Sequence, residues 1–382
     1  MKRLFTALLA VFLLCQPLGV LAAPDLSAAS AILVDADSGR ILYEKDAHTR
    51  RLIASTTKLM TALVAAEAMD DLAEPVTITR EDTLTEGSSM YLKVGETVTL
   101  EALLYGLLLH SGNDAALAVA RHCAGDVETF VDWMNQRAES LGMADSHFAN
   151  PNGLNDDAHY STAYDMALLA KACMDNDTVS KIVGTKSITL GTRTFTNHNK
   201  LLTLYEGCEG MKTGYTQMAG RTLVSCARRD GQLLLCVTLN DPDDWKDHAA
   251  LFDYGFETYP RQVLVTAGRD FRTLPVDGSL VRFVRVRTAG DVFYPAKEGE
   301  TVRAEVMLPD RVAAPVAAGE IAGSLSFYVG KELVGETYLL YADSAHDDTV
   351  CSNPLVRRVL DFFLGRSDTE TFLPTFAGHH FS

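Results

Sequence analysis

Between Glu139 and Glu206 this chain has no glutamate, nowhere does it space two cysteines as C-x-x-C, and beyond its opening segment it has no apolar run near the roughly 18 residues that a bilayer crossing needs. Positive charge is also short: 34 lysines and arginines stand against 50 aspartates and glutamates, a formal net charge of −16. Each shortage removes a class of function. The missing C-x-x-C pairs argue against a zinc site. The missing long apolar run argues against a transmembrane helix in the mature chain. Strong acidity argues against nucleic acid and against adhesion to anionic polymers. There is no internal repeat and no low-complexity segment, and 382 residues at 47% hydrophobic and 22% charged suffice for two or three globular domains.

What is present begins with Met1-Lys2-Arg3, an apolar run from Leu4 to Leu14, then Pro17, Gly19 and small residues ending at Ala22-Ala23. A charged start, a short apolar run and a small-residue end read as a secretory signal peptide over 1–23, so the protein is expected to be exported. Pro17 and Gly19 break the run too early for an anchor, and Leu14 before Cys15 is too large for a lipidation site. Cleavage would leave Cys123, Cys173, Cys208, Cys226, Cys236 and Cys351, an even number that permits disulfides and is equally compatible with buried free thiols.

Along the chain, Ala31-Ile32-Leu33-Val34 and Ile41-Leu42-Tyr43 flank Asp37-Ser38-Gly39-Arg40 and predict a β-hairpin. Helical periodicity follows from Ser55 to about Met69, and again at Leu100 to Leu109, Asn113 to Ala124, Val127 to Leu141 and Thr162 to Met174. Strands return at Met211 to Thr216, Arg221 to Ala227 and Leu233 to Leu239, the last pair turned by Asp230-Gly231. Strands at both ends of a helical insert predict an α+β domain over 24–260 whose terminal segments share one antiparallel sheet. From Val263 to Ala342 short alternating runs such as Phe283-Val284-Arg285-Val286-Arg287 predict a small all-β sandwich over 261–343. In the tail, 344–382, Leu355, Val359 and Phe362 or Phe363 fall on one helical face opposite Arg357, Arg358 and Asp361.

Three short strings carry chemistry: Ser55-Thr56-Thr57-Lys58, Ser111-Gly112-Asn113 and Lys212-Thr213-Gly214. A serine hydroxyl needs a base before it can attack. If Ser55 opens a helix, Lys58 lies one turn on along the same face, and burial plus the charge of Lys212 would push its amine toward the neutral form. Ser111 could relay a proton and Asn113 could hold a lysine and substrate backbone. Lys212 would supply charge, Thr213 a hydroxyl for a terminal carboxylate, Gly214 room for a peptide against the strand edge, and the Tyr215 and Ser55 N–H groups an oxyanion hole. Singly, each string has a plainer reading: a helix cap at Ser55 with a solvated Lys58, a capping turn at Ser111, an exposed Lys212 before a turn.

Together and in this order, the strings resemble the set of the penicillin-binding proteins and class A β-lactamases. Gly87-Ser88-Ser89-Met90, Leu92-Lys93-Val94-Gly95-Glu96, Asn150-Pro151-Asn152-Gly153-Leu154, Tyr160-Ser161-Thr162-Ala163 and Gly210-Met211-Lys212-Thr213-Gly214-Tyr215-Thr216 extend the resemblance to the low-molecular-mass penicillin-binding proteins, the serine D-alanyl-D-alanine carboxypeptidases, over about Ala29 to Ala342. That resemblance implies a penicillin-binding/β-lactamase-like transpeptidase domain followed by a small β-sandwich. It implies Ser55 as nucleophile toward peptidoglycan stem peptides and β-lactam antibiotics, with no metal or organic cofactor. Asn197-His198-Asn199-Lys200-Leu201-Leu202 matches a pattern whose second position is arginine in some relatives and helps hold the substrate carboxylate. With His198 there, carboxylate binding is expected either to lean on Thr213 alone or to become pH-sensitive.

Three rivals share parts of this pattern. A class A β-lactamase needs a glutamate to hydrolyse its acyl-enzyme, and 140–205 holds none. A D,D-endopeptidase acting on cross-links is chemically close and stays open. A silent wall-associated scaffold would need a lost motif residue, and none is lost. The tail patch reads equally as an amphipathic membrane contact and as a helix packed on the sandwich.

Overall fold

The computed structural model describes residues 22–349 and 354–363, so the expected leader, apart from its last two residues, lies outside them, as do Cys15, Cys351 and Leu364. The chain divides into two compact units, residues 22–36 with 40–260 and residues 37–39 with 261 onward.

In the first unit β1 (Ser30–Asp35) and β2 (Ile41–Lys45) form the hairpin, and a 3-10 turn, Ala54–Thr57, leads into α1 (Lys58–Ala68). A small hairpin of β3 (Pro75–Thr77) and β4 (Thr97–Thr99) precedes α2 (Leu100–Leu109), α3 (Asn113–Ala124), α4 (Val127–Ser140), α5 (Ala163–Asp175) and α6 (Asp177–Val183). A second small hairpin, β5 (Ser187–Leu190) and β6 (Arg193–Thr196), and the short α7 (Leu201–Leu204) lead to β7 (Cys208–Thr216), β8 (Gly220–Arg229), β9 (Gln232–Leu239) and α8 (Asp244–Thr258).

The main sheet runs β2-β1-β9-β8-β7, so the first and last strands of the unit meet at its centre and β7 is an edge. β1 and β9 pair antiparallel with Ile32 opposite Val237 and Leu33 opposite Cys236. The pleat sends alternate side chains to opposite faces. Ile32, Val224, Leu235 and Val237 pack with α1, α2, α3 and α5, whereas Leu33, Leu223, Leu234 and Cys236 pack with Leu251 and Phe252 of α8. Every residue of β9 is buried, Gln232 and Thr238 included, which explains the apolar run from Leu233 to Val237. The fold is thus α+β with the sheet as middle layer; α8 was not foreseen. Cys123, Cys173, Cys208, Cys226 and Cys236 are free thiols.

The second unit is all-β: β10 (Arg261–Val265), β11 (Asp270–Asp277), β12 (Phe283–Thr288), β13 (Val292–Pro295), β14 (Val302–Met307), β15 (Val312–Ala313), β16 (Ile321–Val329) and β17 (Glu332–Tyr341). A sheet ordered β14-β16-β17-β12-β11-β15 and the pair β10-β13 close over one core holding Val265, Leu274, Val284, Val286, Val292 and Leu339. Along β12 exposure alternates residue by residue, as the sequence predicts. α9 (Pro354–Phe363) carries Leu355, Val359 and Phe362 exposed. Among the described residues no helix is long and apolar enough to cross a membrane.

Candidate active site

The turn that carries Ser55 is tightened by its own neighbours. Thr56 Oγ1 donates to the Ile53 carbonyl (2.6 Å) and Thr57 Oγ1 to that of Ala54 (2.8 Å). Such back-bonding favours a 3-10 turn over an α-helical one, so the helix read from Ser55 starts three residues later, at Lys58. Ser55 stays partly open while Thr56, Thr57 and Lys58 are buried.

Lys58 is 0% exposed, and its Nζ meets three oxygens: Ser55 Oγ at 3.0 Å, Asn113 Oδ1 at 2.6 Å and the Asn152 carbonyl. Asn113 cannot turn its amide the other way, because its Nδ2 donates to the Glu86 carbonyl (2.6 Å). The loop before β4 is braced in turn by Asp114, whose carboxylate accepts from Met90 N (2.8 Å), Leu92 N (3.0 Å) and Ser89 Oγ (2.6 Å). That gives the Ser88-Ser89-Met90 string its physical role. The Asn152 carbonyl is fixed by its own loop, where Gly153 N donates to Asn150 Oδ1 (2.7 Å) and Thr61 Oγ1 to the Pro151 carbonyl (2.6 Å).

Burial holds the Lys58 amine well below its ordinary range; the charge of Lys212 adds to this and Asp114 opposes it. Lys212, on β7 and 1% exposed, is pushed down to about 7 by burial, and its Nζ donates to the Thr213 carbonyl (2.9 Å). Gly214 lets β7 lie against the turn: a Cβ there would fall 2.3 Å from Thr222 Oγ1 and 2.9 Å from Ser55 N. Thr222 Oγ1 itself donates to the Ile53 carbonyl (3.0 Å), tying β8 to the same turn. Tyr215 is exposed beyond it.

Ser111 sits between α2 and α3 at φ 64, a left-handed conformation uncommon for serine, and is buried. It is not among the three partners of Lys58. Gly112, the N-cap of α3, makes no side-chain cap, so Asn113 is spent on Lys58 rather than on the helix end. The His198 ring stands 5.4 Å from that of His110, and it is pushed to about 4 by partial desolvation first, then by the charges of Lys212 and His110. Sequence reasoning missed the Asn152 carbonyl, the Glu86 carbonyl and His159, whose Nε2 is 2.7 Å from Thr57 Oγ1.

The chemistry follows from counting protons. A neutral lysine amine has two N–H donors and one lone pair. Two of its three neighbours, Asn113 Oδ1 and the Asn152 carbonyl, can only accept. They take both N–H groups, and the lone pair then faces Ser55 Oγ, the one neighbour with a proton to give.

Residues 19–243 match the Peptidase_S11 family, D-alanyl-D-alanine carboxypeptidase, and residues 259–347 match the penicillin-binding protein 5 C-terminal domain. The chain belongs to the D-alanyl-D-alanine carboxypeptidase family. A relative in Bacillus subtilis (strain 168), the D-alanyl-D-alanine carboxypeptidase DacF, is 31% identical over 325 residues, which is 81% of this chain and 84% of the relative. The crystal structure of penicillin binding protein 5 from Haemophilus influenzae is similar with a TM-score of 0.72 at 27% identity, over 85% of this chain and 99% of that one. The D-alanyl-D-alanine carboxypeptidase structure from Mycobacterium tuberculosis H37Rv is similar with a TM-score of 0.60 at 36% identity, over 64% of this chain and 97% of that one. Both the α+β unit and the all-β unit that follows it therefore have counterparts in known family members.

Proposed function

We propose that this chain is a serine-type D-alanyl-D-alanine carboxypeptidase acting outside the cytoplasm on peptidoglycan stem peptides. Ser55 Oγ attacks the carbonyl between the two terminal D-alanines as Lys58 Nζ takes its proton, and the Ser55 and Tyr215 N–H groups receive the oxyanion. The D-alanine amine leaves with a proton returned by way of Lys58 and Ser111, and water then releases the shortened peptide from Ser55. Lys212 supplies positive charge and has no ion pair among the described residues, Asn113 orients Lys58, and Gly214 and Tyr215 offer the strand edge to the peptide. A histidine held near 4 is neutral from pH 5 to 8, so the terminal carboxylate leans on Thr213 and Lys212 rather than on His198. β-Lactams acylate the same serine. With no glutamate in 140–205 the penicilloyl group has no dedicated hydrolytic base and leaves slowly. The exposed apolar face of α9 supports peripheral contact of the tail with a membrane surface.

The observation that carries this reading is the lone pair of a fully buried Lys58 aimed at Ser55. Fluorescent penicillin is expected to label the wild-type protein, Ser55→Ala to abolish the label, and stem pentapeptide to yield D-alanine. A wild-type protein that stays unlabelled and releases no D-alanine overturns the assignment.

A further inference from the structure

Beside the site lies a cavity of about 460 Å³ that the mechanism does not use. Its lining includes Arg50, Arg51 and Leu52, the last of them three residues short of Ser55, and His159, whose Nε2 lies 2.7 Å from Thr57 Oγ1. It also includes Met218 and Asn155, whose Oδ1 accepts from Thr216 Oγ1 (3.0 Å) at the end of β7. A peptide laid antiparallel on the free edge of β7, its carboxylate at Thr213, runs upstream past Tyr215 toward this opening. Two residues of extended chain span about 7 Å. On that path the third residue of a stem pentapeptide is carried toward Thr216, whose Oγ1 donates to the cavity residue Asn155 (3.0 Å).

The lining carries both signs of charge, and the two signs are held differently. Arg50 is turned onto Asp145 (2.8 Å) and lies over the Tyr160 ring, and Arg51 Nε donates to Ser30 Oγ (2.6 Å). Asp156 and Asp157 are exposed, and among the described residues neither has an ion pair; the Asp156 carboxylate accepts the Ala158 N–H (2.8 Å) and its backbone carbonyl the His159 N–H (3.0 Å). Leu52 and Met218 offer apolar flanks for a methylene stem, as long cationic side chains require. We propose that this cavity seats the third residue of the stem peptide and selects it by the free ammonium at the tip of its side chain, which Asp156 and Asp157 receive. The proposal rests on the carboxypeptidase reading for the direction of the peptide.

Binding separates the two claims. The full-length Ser55→Ala protein is titrated with two pentapeptides that differ only at the third residue, lysine or Nε-acetyllysine. The lysine peptide is expected to bind about fivefold tighter at low salt, in line with two partly solvated charge pairs, and the difference is expected to shrink in high salt. Asp157→Asn is expected to lower the preference and the Asp156→Asn, Asp157→Asn pair to remove it. In the Ser55 background the same pair is expected to label with penicillin at the wild-type rate, because penicillin has no third residue. Equal binding of both peptides, no measurable binding of either, or a preference that survives loss of both carboxylates overturns the proposal. A wild-type protein that prefers the lysine peptide yet releases no D-alanine leaves the cavity assignment standing and sinks the carboxypeptidase reading instead.

Discussion

Two lysines buried side by side are a stability burden that only function explains. Lys212 shows the cost most simply, because it hydrogen-bonds only its neighbour's carbonyl and so can be replaced without orphaning other groups. The unfolded chain protonates it near 10.5 and the folded chain at about 7. Between those values the unfolded state holds the extra proton, so the stability this position contributes falls as pH drops through that window. Lys212→Met keeps the length and removes the charge. It is expected to raise Tm by on the order of 10 °C at pH 7, with the gain fading as pH approaches 10, while the rate of penicillin labelling falls at least about tenfold. Thermal melts across pH test the first half, and a gain independent of pH would count against the charge argument. At this scale Ser55, Lys58, Asn113 and Lys212 were legible because their chemistry lives in side chains. The Asn152 and Glu86 carbonyls were not, since any residue type supplies a carbonyl and only the fold decides where it points.

Among the elements, the loop that delivers Asn152 is tied to the nucleophile turn by one close approach. Gly153 has φ 82, and a Cβ on it would fall 2.0 Å from the Ala54 carbonyl and 2.9 Å from Thr57 Oγ1. Backbone against backbone leaves nothing flexible to give way. Gly153→Ala is expected to cost about 2 kcal/mol or more of stability and to slow acylation at least about tenfold, because the Asn152 carbonyl is drawn off Lys58. Denaturant melts and labelling rates check both, and a variant with normal labelling would mean that carbonyl is dispensable. Most elements were readable here for ordinary reasons: α2 and α3 have strong apolar periodicity, and the strands β7 to β9 are punctuated by Asp230-Gly231. α8 was overlooked although Leu251 and Phe252 sit on its buried face, because Asp244, Asp247 and Asp253 dilute the pattern. The start of α1 was misplaced because the threonine back-bonding that delays it is a three-dimensional fact.

For the whole molecule, the pairing of β1 with β9, some 200 residues apart, is what closes the first unit upon itself. That closure was inferable from strands at both ends of a helical insert; what the sequence did not disclose is that α8 covers the sheet's second face and completes the unit's own pair of cores. Every proposed reacting group lies between Ser55 and Tyr215, inside the first unit, and 64% of this chain covers 97% of the Mycobacterium tuberculosis carboxypeptidase structure. A chain ended after Pro260 is therefore expected to melt cooperatively and to label with fluorescent penicillin within about threefold of the full-length rate. Labelling kinetics on the shortened and complete proteins decide the matter: a shortened chain that folds yet acylates far more slowly would mean the all-β unit shapes the active site rather than merely following it.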